Sequence, residues 1–416
     1  MNKLFRALKL NEENCRGCTK CMNKCPMEAI RLKNSKAVIY EDRCIDCGIC
    51  IRTCPYSAYS AEKNSLCDIE SYKIKVAVPS TTLYSQFGSN VKPFQINEAI
   101  KKLGFDKVFD ISYASDITSE IIKKEIDKAE KPAIGVFCPS IQELIKVNYP
   151  SLLPHIVKVL TPIEISASLI RDEYLKKGFS YDEVGVFYLS PCVAWIPMIK
   201  SSALNLKTKI NGIIAINDIY SNIIKNLENE KNLSTKPSNI SYTGLSWAYI
   251  EGASESIGLK QFIAVDGIEN VKLVFDDIVN GKFKDVDFVE SYACNGGCVG
   301  GTFLIENPYN AKRITKNYFD KINFTYGVKE ISDYYHKEFS GDVKNIKVVN
   351  QKLADDFMSA VRKMKYMNEL VNMLPGTDCG LCGSPSCKAF AEDVVRGLAS
   401  LDECIMIKNG GEKNES

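Results

Sequence analysis

The sequence is poor in histidine and has no long apolar stretch. Only His155 and His336 occur in 416 residues, so histidine-rich zinc or di-iron centres and a Cys/His catalytic dyad are nearly excluded by inventory. No apolar run approaches the roughly 20 residues that cross a bilayer. The opening MNKLFRALKLNEEN has neither a signal-peptide core nor a small-residue cleavage site, so a cytoplasmic protein without membrane insertion is expected. Charge of one sign is also missing. Fifty-three Lys and Arg stand against 51 Asp and Glu, and a net charge of +2 gathers neither nucleic acid nor an anionic membrane.

What the chain does have is cysteine, 17 of them. In a reducing compartment that density reads as metal ligands rather than disulfides. With 45% hydrophobic and 25% charged residues, the chain reads as a globular protein of about two to four folding units. The first cysteine block is Cys15-x2-Cys18-x2-Cys21-x3-Cys25-Pro26, and Cys44-x2-Cys47-x2-Cys50-x3-Cys54-Pro55 repeats it. Three thiolates at this spacing wrap one face of a cubane, while the fourth, set off by three residues, ligates the other cluster. The assignment is therefore Cys15, Cys18, Cys21 and Cys54 to one [4Fe–4S] cluster, and Cys44, Cys47, Cys50 and Cys25 to its partner. Structural zinc is the competing reading, but zinc needs four ligands and gains nothing from the duplication. Residues 10–60 resemble a bacterial two-cluster ferredoxin.

At the other end, Cys379-x2-Cys382-x4-Cys387-x16-Cys404 lies in PGTDCGLCGSPSCKAFAEDVVRGLASLDEC. Glycines and prolines make a tight loop, and KAFAEDVVRGLA has helical periodicity that returns Cys404 to it. Zinc is again an alternative. Through DCGxCGxxxC and the FAEDVVRG helix, the stretch resembles the small iron–sulfur domain of corrinoid iron–sulfur proteins and Rnf-type electron-transport complexes, which implies a third [4Fe–4S] cluster. This segment is expected to stand apart from the ferredoxin pair as a separate electron port. Cys67 reads as a packing residue.

Residues 72–365 carry the apolar runs KIKVAVP, AIGVFCP, VGVFYLSPC and DVDFVESYAC between helical stretches such as SIQELIKVNY, which argues parallel strands in an α/β region. Cys138, Cys192 and the pair Cys294-x3-Cys298 follow three of these runs. Ligands gather at the carboxyl ends of such strands.

Residues 138–162 (CPSIQELIKVNYPSLLPHIVKVLTP), SPC at 190–192 and ESYACNGGCVGG at 290–301 resemble the three signature segments of the [FeFe]-hydrogenase large subunit. FDISYASDIT at 109–118 and ENPYNAKR at 306–313 extend the likeness. The resemblance implies a two-lobed α/β domain with its cluster site in the cleft. Cys138, Cys192, Cys294 and Cys298 map onto the cubane ligands, and Cys298 maps onto the bridge to a di-iron subsite. The order of segments most resembles the sensory branch of the family.

The chain departs from that family at the positions that serve turnover. Phe137 stands where the resemblance implies a proton-donating cysteine. Ungapped counting puts Ile122 and Val157 at two further relay positions and leaves Glu125 as the only polar survivor. Apolar side chains pass no proton. PCVAW puts Trp195 where PCxxK supplies a lysine to a cyanide ligand, and the methionines expected near the signatures are Ser190 and Tyr292. Trp195 reads either as a ring filling the di-iron space or as packing at a lobe interface. Trp195 stands against a di-iron subsite, and Phe137 against proton supply.

The expected architecture is multidomain α/β: a ferredoxin-like domain (1–70), a two-lobed hydrogenase-like domain (71–365), a small helical iron–sulfur domain (366–408) and a polar tail (409–416). The favoured function is electron relay among four [4Fe–4S] clusters with little or no hydrogen turnover, in an anaerobic setting. The alternatives are a slow sensory hydrogenase retaining a di-iron unit, and a reductase of a small molecule at the altered cleft, where Phe137, Trp195, Glu290 and Tyr292 are the candidate residues. The partners implied are a redox protein, either a ferredoxin or a reductase, and a separate signalling or enzyme partner.

Overall fold

The 29-residue spacing that separates Cys15 from Cys44 also governs the backbone. In the computed structural model, which describes residues 5–200, 209–228, 240–321, 338–339 and 352–408, left-handed residues recur at the same offset. Gly17 and Asp46 have φ of 62° and 50°, Thr19 and Gly48 62° and 74°, and Glu28 and Ser57 45° and 48°. Such turns point successive N–H groups to one side, which suits sulfur ligands. Ala29 N donates to Cys25 Sγ at 3.3 Å, and Ala58 N donates to Cys54 Sγ at 3.4 Å. His336 and the tail at 409–416 lie outside the described residues.

The chain divides into two compact units, Met1–Ala61 with Val348–Ser416, and Glu62–Lys347. In the first, β1 (Leu8–Leu10) pairs antiparallel with β4 (Tyr59–Ala61), and β2 (Ile30–Lys33) pairs antiparallel with β3 (Lys36–Ile39). The C-terminal helices Phe357–Met373 and Cys387–Val395 pack through Leu370, Leu374, Phe390, Ala391 and Val395 around Cys404. This segment does not stand apart from the ferredoxin pair as the sequence led us to expect. Leu32 N donates to Gly383 O at 2.8 Å, and Arg31, fully buried, pairs with Asp393. A side chain at Gly383 (φ +81°) would meet Leu32 O at 2.2 Å, so only glycine allows the approach.

The second unit holds two all-parallel sheets. One runs β6 (Lys107–Val108), β5 (Ile74–Pro79), β8 (Val184–Ser190), β9 (Gly212–Ala215), and the other runs β10 (Phe262–Asp266), β11 (Phe288–Tyr292), β7 (Ala133–Gly135). β8 and β11 are buried along their whole length, as continuous apolar runs in parallel sheets require. Each sheet has its own core. Leu83, Ile96, Phe187 and Ile219 belong to the first, and Phe137, Trp247 and Phe288 to the second. SIQELIKVN of the expected helical stretch falls in the helix Pro139–Asn148, with Tyr149 as its C-cap. Among the described residues no helix is long and apolar enough to cross a membrane.

Candidate iron–sulfur sites and cleft

Cys25, Cys44, Cys47 and Cys50 line one cavity with Pro26, Met27, Ile30, Ile39 and Ile45. Burial pushes the Cys44 thiol up to about 12, and it raises Cys47 and Cys50 as well, with neighbouring thiols adding to each shift. Such thiols stay protonated unless a cation takes the proton's place. Cys15 and Cys18 both act on Cys21, whose sulfur accepts a hydrogen bond from Tyr59 Oη at 3.3 Å. Cys54 occupies the repeat position of Cys25 and receives the same backbone bond. In the C-terminal segment Cys379, Cys382, Cys387 and Cys404 line one cavity with Leu374, Pro375, Phe390 and Ile405. The chain thus brings together both of these sets of four.

The cleft assembles from both sheets. Cys192 follows β8 of one, while Cys138 follows β7 and Cys294 and Cys298 follow β11 of the other. Burial raises Cys298, with Cys138, Cys192 and Cys294 reinforcing the shift; burial likewise raises Cys192, reinforced by Cys294 and Cys138. N–H groups of Ala293, Ile141 and Ser140 point to Cys138 Sγ, and those of Ala194 and Trp195 to Cys192 Sγ. Four half-buried cysteines, two of them supplied with amide donors, fit an iron–sulfur cluster, whose sulfurs take such bonds.

Around the thiols stand aromatic and acidic groups. Glu290 is wholly buried, and its Oε2 accepts from Ser254 N at 2.8 Å and Ser254 Oγ at 2.6 Å. Its Oε1 and the hydroxyl of buried Tyr292 have no hydrogen-bond partner among the described residues. Burial pushes Glu290 up to about 7, and raises Tyr292, whose neighbours are Glu290, Cys298 and Cys138. Trp195 is buried with its ring edge-on to Tyr188, centroids 5.7 Å apart at 72°. Ser190, at the end of β8, donates to Cys192 O at 2.8 Å. Tyr188, within the strand run VGVFYLSPC, lies near Cys192 and Cys298.

The three apolar residues at positions where the resemblance implies a relay meet. Ile122, Phe137 and Val157 share one cluster with Ala133, Trp247 and Phe288. The fourth, Glu125, is bound by Lys128 Nζ at 2.7 Å. Trp247 had no signal in the sequence beyond being one of two tryptophans; its indole N–H donates to Ser119 Oγ at 3.2 Å.

Comparison with known proteins gives the family. Residues 73–196 and 212–302 match the family described as iron only hydrogenase large subunit, C-terminal domain; residues 14–59 match a 4Fe-4S dicluster domain, and 374–406 match a putative Fe-S cluster domain. The chain is 25% identical over 363 residues to the periplasmic [Fe] hydrogenase large subunit of Nitratidesulfovibrio vulgaris, covering 71% of this chain and 85% of that protein. Over 41 residues, 10% of this chain and 9% of its relative, it is 44% identical to the corrinoid/iron-sulfur protein large subunit of Moorella thermoacetica. In structure it is similar to an apo [FeFe]-hydrogenase variant from Chlamydomonas reinhardtii, with TM-score 0.51 and 16% identity over 66% of this chain and 92% of that one. With its hydrogenase-like fold, its ferredoxin-like end and its small C-terminal iron–sulfur region, the chain is a member of the iron-only hydrogenase large-subunit family.

Proposed function

We propose that this protein is an electron-transfer member of its family, holding four [4Fe–4S] clusters and turning over little or no hydrogen. The observation that carries the reading is the packing of Ile122, Phe137 and Val157 into one apolar cluster beside the cleft. The resemblance places a proton relay at those positions, and a continuous hydrocarbon wall excludes the water or hydroxyls that a relay needs. When bound, the clusters supply one-electron redox chemistry. The four sets of four thiols hold them, the amide donors at Cys138 and Cys192 stabilise the negative charge on sulfur, and the buried walls exclude water. A redox protein is the partner this chemistry asks for, in the cytoplasm.

A second reading is favoured by one observation. Glu290 and Tyr292 set a buried carboxyl and a buried hydroxyl next to each other and to the cleft thiols, as a small-molecule reductase site would use.

Infrared spectroscopy of anaerobically isolated protein tests the proposal, together with a hydrogen assay after exposure to the machinery that builds the di-iron unit. The expected result is no carbonyl or cyanide bands and background turnover. Hydrogen turnover at rates usual for the family would overturn it. Bands with slow turnover would favour a sensory hydrogenase.

A further inference from the structure

The first unit joins residues more than 340 positions apart, and the join is polar where most joins are greasy. Arg31 and Asp393 are 1% and 2% exposed at their side chains. Arg31 Nε and Nη2 take the two oxygens of Asp393, with Nη2 to Oδ1 at 3.2 Å. Arg31 Nη1 donates to Glu28 O at 2.6 Å, and its guanidinium lies 5.0 Å from the Tyr40 ring centroid. Arg43 pairs with Glu392, which Arg396 also holds at 2.8 Å. Ser386 Oγ donates to Glu28 Oε1 at 2.7 Å. A buried ion pair gives little net stability over apolar packing, but it punishes misregister, since either charge alone is stranded. The join therefore fixes a position.

The charged residues of the join lie beside one ferredoxin site. The ferredoxin residues it uses flank Cys25 and Cys44, of the same cavity: Glu28 N bonds Cys25 O at 3.0 Å, and Arg43 precedes Cys44. On the other side, Ser384 Oγ donates to Asp393 Oδ2 at 3.0 Å while its N–H points to Cys382 Sγ. A short path of covalent and hydrogen bonds thus leads from Cys25 Sγ through Ala29 N, Glu28 O, Arg31, Asp393 and Ser384 to Cys382 Sγ.

We propose that the buried Arg31–Asp393 pair locks the C-terminal iron–sulfur segment onto the Cys25/Cys44/Cys47/Cys50 site, making these two sites direct electron-exchange partners. This rests on the reading above that both cavities hold cubanes. In the exchange one electron leaves the first site as one enters the second, with no bond made or broken and no proton moved. Arg31 and Asp393 are positioning residues: they hold the two sites in register and touch neither sulfur set.

Electron paramagnetic resonance of the fully reduced, full-length protein, with iron counted on the same sample, tests it. Wild type should show spin–spin splitting in which the C-terminal site takes part, beyond any coupling within the ferredoxin pair. Cys382→Ser should remove four irons and that part of the splitting together, whereas Cys18→Ser, which abolishes coupling within the pair, should leave it in place. Asp393→Ala with full iron should lose that same part, Asp393→Glu should recover some of it, and Arg43→Gln, at the edge of the join, should weaken it if the central variant fails to fold. Splitting that survives Cys382→Ser but vanishes in Cys18→Ser would overturn the inference, as would unchanged splitting in iron-replete Asp393→Ala. Full iron with unsplit wild-type spectra would overturn the inference alone. Iron too low to fill both cavities would overturn the reading of the cavities and the inference with it.

Discussion

The ring of Phe137 lies 4.5 Å from that of Trp247, centroid to centroid, and inclined at 57°. This aromatic pair occupies the point at which the family resemblance calls for a thiol beside Cys138. Phe288 closes in from the strand behind, 6.4 Å away, so the side chain that would pass protons has become the centre of a core. The substitution therefore has two consequences that can be measured separately.

Phe137→Ala should destabilise the second unit by about 3–5 kcal/mol, as buried Phe→Ala changes do, read as a fall in the denaturant midpoint. Phe137→Cys should not raise hydrogen turnover above background, because Ile122 and Val157 still interrupt the path, and each relay group contributes roughly 10²–10⁴-fold. A large gain in turnover from that single change, in protein exposed to the maturation machinery, would show that the apolar cluster is not the block.

Glu290 predicts a pH dependence of stability. Burial raises its carboxyl from 4.5 to about 7, so the folded protein holds this proton more tightly than the unfolded chain. Its contribution is complete below about pH 4.5 and is lost as pH rises through about 7. The loss is on the order of 3 kcal/mol at one pKa unit per 1.36 kcal/mol. Glu290→Gln should flatten the stability curve of the iron-loaded protein between those limits relative to wild type. Parallel curves would mean that Glu290 is ionised in the fold.

Much of this was legible in the sequence, for physical reasons. The duplicated cysteine run constrains its own backbone, because three left-handed turns must recur with the four thiols. The four strand runs announce parallel sheets because they are buried on both faces, and a cysteine two or three residues past a strand end has only the cleft to enter. The docking of the C-terminal segment was not legible. Arg31 and Asp393 are 362 residues apart, and neither breaks any local pattern: Arg31 sits in an ordinary hairpin and Asp393 in an amphipathic helix. Trp247 and Phe288 escaped for the same reason, since only the fold brings them to Phe137.

Asp393→Ala should be much more damaging than removal of the whole pair. It strands a buried guanidinium, at a cost of about 3–5 kcal/mol, whereas Arg31→Met combined with Asp393→Leu should leave stability close to wild type. Thermal unfolding of the three proteins, each at matched iron content, distinguishes the cases. Equal damage from single and double variants would mean that the hydrogen bonds of the pair, including those to Glu28 O and from Ser384 Oγ, set the loss rather than the stranding of one charge.

Iron content gives the most direct test of the four sets. If each binds a cubane, anaerobically reconstituted protein should hold about sixteen irons and as many sulfides. Saturation at about eight would remove both the cleft and the C-terminal assignments. Because Cys379, Cys382, Cys387 and Cys404 line a single cavity, Cys387→Ser should cost about four irons and leave the absorption of the cleft site unchanged. The small C-terminal core contains Cys404 itself among Leu370, Phe390 and Val395, so binding and folding there are linked. The variant should also make the residues after Cys379 more susceptible to protease. Zinc in place of iron in anaerobically purified protein would keep that segment folded but remove it from electron transfer, since zinc has no redox chemistry.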